Sequence, residues 1–106
     1  MTEEVSIESR DYWFKIVEFL QQNWALVDPH ERGAIAWFIG DTSGVFDQIV
    51  FASPEEAFRA LTRNGFRRFA EDQKAQSFLR APESPFTRRA HPNGPIYSSG
   101  RFWRSL

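Results

Sequence analysis

The chain has 106 residues, 42% hydrophobic and 16% aromatic, with no cysteine. That length fits one compact domain, and a chain of this size buries roughly 60% or more of its unfolded surface without disulfide staples. The lack of cysteine excludes a disulfide scaffold, a thiolate metal site and a cysteine nucleophile. The longest unbroken apolar run, residues 34–39, falls far short of the roughly 20 residues a spanning helix needs. Glu3 and Glu4 stand where a secretory signal carries positive charge. The expectation is a cytoplasmic protein with no membrane association.

Total charge is near balance, with 13 basic and 14 acidic residues, but its distribution is not. Residues 1–58 hold eleven acidic and three basic groups, a balance of −8; residues 59–106 hold ten basic and three acidic, a balance of +7. Nine of those ten cations are arginine. The planar guanidinium suits phosphate, carboxylate and aromatic faces better than the ammonium of lysine does. Such asymmetry points to nucleic acid or an acidic partner, unless the two halves fold against each other and cancel.

In chain order, residues 1–8 read as a frayed acidic lead-in. Over 9–27 the spacing predicts an amphipathic helix, because Trp13, Ile16, Val17, Leu20, Trp24 and Val27 recur at three- and four-residue intervals. Tyr12, Phe19 and Leu26, seven apart, flank that face and offer a partner-binding stripe. Pro29 is expected to end the helix. Residues 34–40 and 45–51 read as two strands of an antiparallel hairpin. The small residues Gly40 to Gly44 form its loop, and both strand faces carry apolar side chains.

The next helix has the full set of terminal signals. Ser53 caps it, Pro54 suits its first position, and Glu56 completes a capping box. Glu55 and Glu56 complement the positive end of its dipole and Arg63 the negative end. Asn64-Gly65 stops it, with Phe66 folding back. Residues 66–69 form a short strand or turn, and 71–80 a third, shorter helix before Pro82. Four of the six prolines follow, at 82, 85, 92 and 95. A strand over 96–98 is conceivable from the sequence. Two strands alone make a marginal sheet, so 66–69, 96–99 or a second copy must supply a third.

The expected fold is α+β: an N-terminal amphipathic helix, an antiparallel β-hairpin, a capped second helix and a short third helix. A compact domain over 1–80 is followed by a Pro/Arg/aromatic arm over 81–106 packed on it, which can add a strand.

Catalytic constellations are weak. Asp28, His30 and Glu31 cluster in sequence, yet adjacent turn residues rarely converge on one ion. His91 lies in a run whose Pro92, Asn93, Gly94 and Pro95 are explained by turn chemistry. Asp41-Thr42-Ser43-Gly44 resembles the Asp-Thr-Gly signature of aspartic proteases, but Ser43 replaces the glycine and the surrounding helices contradict an all-β fold. No catalytic residue, metal ligand or cofactor is assigned, and an enzyme is not expected.

Two binding surfaces remain. The leading expectation is a non-enzymatic protein-interaction module, homodimeric or docking an unknown protein partner. An aromatic surplus, with 11 phenylalanines and four tryptophans, would form its exposed patch. The alternative is single-stranded nucleic-acid binding by an arginine–aromatic strip of Arg67, Arg68, Arg88, Arg89, Tyr97, Arg101, Phe102, Trp103 and Arg104. Guanidinium groups would take the phosphates and the rings would stack on bases. The strip requires those arginines to share one exposed face. The docking module requires an exposed apolar patch or an unpaired strand edge.

Overall fold

A computed structural model describes residues 3–18 and 21–89 of the chain. The strands are β1 (Glu4–Val5), β2 (Trp13–Glu18), β3 (Gln21–His30), β4 (Gly33–Ile39), β5 (Gly44–Phe51), β6 (Arg67–Arg68) and β7 (Phe86–Arg88). Two helices, α1 (Pro54–Arg63) and α2 (Gln73–Phe78), and a 3-10 turn at Phe69–Glu71 complete the α+β fold. The strands form one mixed sheet in the order β1-β7-β5-β4-β3-β2-β6, antiparallel throughout except where β7 runs parallel to β5. No helix among the described residues is long and apolar enough to cross a membrane.

The helix expected over 9–27 is absent; β2 and β3 occupy that stretch as an antiparallel pair. Its aromatic and β-branched residues have strong strand preference. The three- and four-residue periodicity misleads because both faces of these strands are buried. Trp13 and Ala25 pack on one face, Phe14, Trp24 and Leu26 on the other. A strand buried on both faces is apolar almost continuously, so it satisfies a helical template as readily as an alternating one. Pro29 is therefore no helix terminator. It sits inside β3 opposite Ala34, one pair from the β3–β4 turn. Because β2 begins only at Trp13, opposite Ala25, no ladder to β2 asks Pro29 for an N–H.

Asp28, in the same stretch of β3, is buried, and its carboxylate accepts backbone N–H bonds from Glu8 at 3.0 Å and Ser9 at 2.8 Å. A side chain thus substitutes for the ladder where β2 has not yet started. The lead-in is not frayed either. Val5 and Ile7 are buried, and Glu4 and Val5 pair with Thr87 and Phe86.

Gly33 closes the β3–β4 turn at φ +139°, and a Cβ there would stand 2.1 Å from the carbonyl oxygen of Ala52. Glycine is required on both counts. The β4–β5 hairpin forms as expected, with Gly40 donating to Gly44 O at 2.8 Å and Ser43 at φ +68°.

The features of α1 follow the sequence closely. Ser53 Oγ accepts the Glu56 N–H at 3.2 Å, and Glu56 Oε2 accepts the Ala52 N–H at 3.2 Å. At the other end Phe66 donates to Leu61 O and Gly65, at φ +92°, to Thr62 O, the paired bonds of a Schellman stop. Helix α2 is shorter than the 71–80 expected. Asp72 caps it by accepting the Ala75 N–H at 2.9 Å.

The sheet is covered on both faces. Leu61, Phe66 and Phe58 of the α1 region pack over Trp13, Ala36 and Phe38. On the opposite face Ala75, Leu79 and Phe86 pack with Phe14, Trp24 and Ile39. The strand that the arm contributes is β7; the one conceived over 96–98 lies outside the described residues.

Candidate interaction surface

Three large apolar side chains are exposed among the described residues: Ile16 at 50%, Phe78 at 56% and Val50 at 40%. Two of them, Ile16 and Phe78, line the same groove of about 340 Å³ between β2 and α2. Alternation along β2 sets Phe14 and Ile16 on one face, the face that α2 covers. Phe14 is buried beneath α2. Ile16, two residues further on, lies beyond that cover, and Phe78 ends the helix beside it.

The edge of the sheet stops short at the same place. Strand β6 pairs with β2 only at Trp13↔Arg68 and Phe14↔Arg67. The 3-10 turn continues that line on the other side, Phe69 donating to Tyr12 O at 2.9 Å. In an antiparallel ladder the backbone groups of alternate residues point to the same neighbour. Those of Tyr12 and Phe14 face β6, so those of Ile16 face the same side. Among the described residues no strand pairs with Ile16 there.

Cations border this groove. Lys15 runs along Gly65, where a Cβ would stand 3.4 Å from its Cε. Lys74 and Arg67 also line it, together with Asp72, which pairs with Arg67 at 3.5 Å.

A larger hollow of about 700 Å³ lies between Arg10, Tyr12 and Arg80, and three of its polar side chains bond other segments of the chain. The Tyr12 hydroxyl donates to Pro82 O at 2.5 Å. Burial raises the pKa of Tyr12 above its ordinary 10.0, opposed by Arg10 and reinforced by Glu83. Arg10 donates to the carbonyls of Ile7 and Ser9, both at 2.7 Å, and its guanidinium stands 5.1 Å from the Phe86 ring. Gln76 donates to Phe69 O at 2.7 Å. These bonds tie the chain's own segments together.

Of the stripe expected on a helix, Tyr12 is the half-buried residue just described and Leu26 is fully buried in the core. Phe19 lies outside the described residues. Tyr12 and Leu26 are on different segments of the sheet and form no common outer surface. Among the described aromatic residues Trp24, Phe38, Phe66 and Phe86 are buried, whereas Phe78 is exposed.

The described arginines of the expected strip are divided between two regions of the sheet. Arg67 and Arg68 lie on the edge strand β6, whereas Arg88 and its neighbour Arg89 lie at β7. Four strands intervene, roughly 24 Å across the sheet at the usual strand spacing. Arg68 stands 5.0 Å from the Trp13 ring and 4.8 Å from that of Phe58, with Asp11 and Glu71 at 3.7 and 3.8 Å. Arg88 bonds Glu3 at 3.0 Å and Gln48 at 2.7 Å, and Arg89 donates to Thr42 O at 2.8 Å. Acidic residues of the first half thus meet arginines of the second. Tyr97, Arg101, Phe102, Trp103 and Arg104 lie outside the described residues.

The Asp28, His30 and Glu31 cluster does not converge. Asp28 holds the lead-in, and His30 Nδ1 accepts the Arg32 N–H at 3.1 Å within the turn. No group of three potential metal ligands occurs among the described residues, and His91 lies outside them. Asp41 and Ser43 tie the hairpin loop to neighbouring segments: Asp41 Oδ1 accepts the Gln22 N–H of β3 at 3.1 Å, and Ser43 Oγ donates to Glu83 O at 2.6 Å.

No protein-family model matches the chain, and neither the curated proteins nor the solved structures compared with it give a match.

Sequence reasoning missed Ile16 because the helix expected over 9–27 put it on an apolar face, and Phe78 fell within the helix expected over 71–80 without a sign of its exposure. The usable signal was the short reach of 66–69, which can cover only part of a six-residue strand such as β2.

Proposed function

We propose that this protein is a non-enzymatic protein-interaction module that docks a segment of another protein in the groove between β2 and α2. The observation that carries the reading is the exposure of Ile16 and Phe78 beside a strand edge that β6 leaves unpaired. An apolar side chain left half in water loses the transfer free energy its burial would supply. Two of them in one groove give a partner a place to bury its own. The open edge adds main-chain bonds, which give affinity without demanding a particular sequence.

The test is selection of binders from a random peptide library displayed against the full chain, followed by anisotropy titration of the enriched peptides. Replacing both exposed residues, Ile16→Ser with Phe78→Ser, is expected to weaken them about thirtyfold, the scale of a lost hot spot. Both positions are exposed, so circular dichroism of the variant should match that of the parent. A library that enriches nothing, or peptides that bind the double variant unchanged, would overturn the reading.

A further inference from the structure

We infer that the segment docked in this groove is an extended strand that alternates apolar with acidic residues. The inference rests on the docking reading and names the partner's chemistry.

Its extended form comes from the edge. A strand entering beside Ile16 prolongs the line of β6 and can exchange bonds with the outward N–H and C=O of Ile16. Its side chains must then point alternately to the two faces of the sheet. Those on the α2 side meet Ile16, Phe78 and the wall at Ala75, which favours apolar residues. Those on the other side share the face of Lys15, which alternates with Phe14 and Ile16 along β2, so polar residues fit there.

Its charge comes from the border. Lys15 lies on the face those polar side chains take and Lys74 stands across the groove on α2, while Asp72, the one carboxylate lining the groove, is already paired with Arg67. The surplus is positive, so carboxylates are the complementary group. The same surplus disfavours two other occupants. Residues 84–106 of this chain contain four arginines and neither aspartate nor glutamate. A second copy meeting edge to edge would bring like cations together, the arrangement by which edge lysines suppress self-pairing.

The probes are a labelled peptide alternating valine with glutamate and its counterpart with lysine for glutamate, titrated against the full chain by anisotropy. The glutamate peptide is expected to bind about tenfold or more tightly than the lysine peptide, with the order inverted by combining Lys15→Glu and Lys74→Glu. Amide shifts in an NMR titration should centre on Ile16. Equal binding of the two peptides, or no binding of either, overturns the inference. So does enrichment in the library selection of basic, proline-rich or helically spaced sequences. If those sequences still lose affinity on Ile16→Ser with Phe78→Ser, docking in the groove stands while its strand chemistry falls. A dimer in sedimentation equilibrium that Ile16→Ser dissociates would identify a second copy as the occupant and also overturn the inference.

Discussion

Asp28 accepts the backbone N–H of Ser9 at 2.8 Å, across 19 residues of chain, and so pins the N-terminal segment to the centre of the sheet. Its other oxygen takes the N–H of Glu8 at 3.0 Å. Removing the carboxylate leaves two partly buried donors unmet, each costing roughly 1–3 kcal/mol. Asp28→Ala should therefore lower unfolding free energy by about 2–4 kcal/mol, with Asp28→Asn, which keeps one acceptor, losing less. Urea denaturation monitored by tryptophan fluorescence measures both. An unchanged midpoint for Asp28→Ala would show that the loop does not depend on this side chain.

Arg68 behaves as part of the fold more than as a surface cation. Trp13 and Phe58 stack at 5.6 Å, and the guanidinium lies about 5 Å from each ring. Its ion pairs, at 3.7 and 3.8 Å with exposed carboxylates, contribute little. The ring contacts and the covered aliphatic stem contribute more. Arg68→Ala is expected to cost about 1–2 kcal/mol, and Arg68→Lys to recover only part, because an ammonium cannot stack as a plane. Thermal unfolding distinguishes them. An equal loss for both variants would assign the effect to the planar group alone.

Tyr12 makes stability fall at alkaline pH. Burial lifts its folded-state pKa above 10.0, so the fold holds the phenolic proton more tightly than the unfolded chain does. The stability from this difference is fully present below pH 10.0 and is lost as pH rises through the higher folded value. Ionisation also removes the donor that bonds Pro82 O. Tyr12→Phe should be less stable than the parent at neutral pH, by about 1 kcal/mol, yet decline less steeply above pH 10.0. Denaturant midpoints between neutral and strongly alkaline pH read both. Parallel decline in parent and variant would exclude Tyr12 as the source.

What the sequence discloses depends on how local the determinants are. Helix α1 carries its start and stop within thirteen residues, Ser53 to Gly65; the Ser53 cap, Pro54 and the Schellman stop all form, while Glu56 reaches back to Ala52, one residue before the cap. The β4–β5 hairpin likewise is marked by a four-residue loop, Gly40 to Ser43, of small and turn-forming residues. The β2–β3 pair lacks such marks, since no glycine, proline, asparagine or aspartate stands between Lys15 and Gln22 to announce a reversal. Strand β7 is hidden for a different reason. Phe86-Thr87-Arg88 is too short to show a period, and its pairing with Glu4 and Val5 spans more than eighty residues. The groove is hidden with the β2–β3 pair: once β2 is read as helix, Ile16 becomes a buried position and no edge exists beside it.

The position of β7 also orders events in time. Among the described residues strand β1 joins the sheet through β7, which lies between it and β5. As the chain leaves the ribosome, β2 to β5 can pair as neighbours while β1, though made first, has no strand to join. It must wait until Phe86–Arg88 has emerged and come alongside β5. The sheet is thus sealed by its two ends together. The β1–β7 pairing closes a loop of more than eighty residues, a cost in chain entropy that the local pairs of β2 to β5 do not bear.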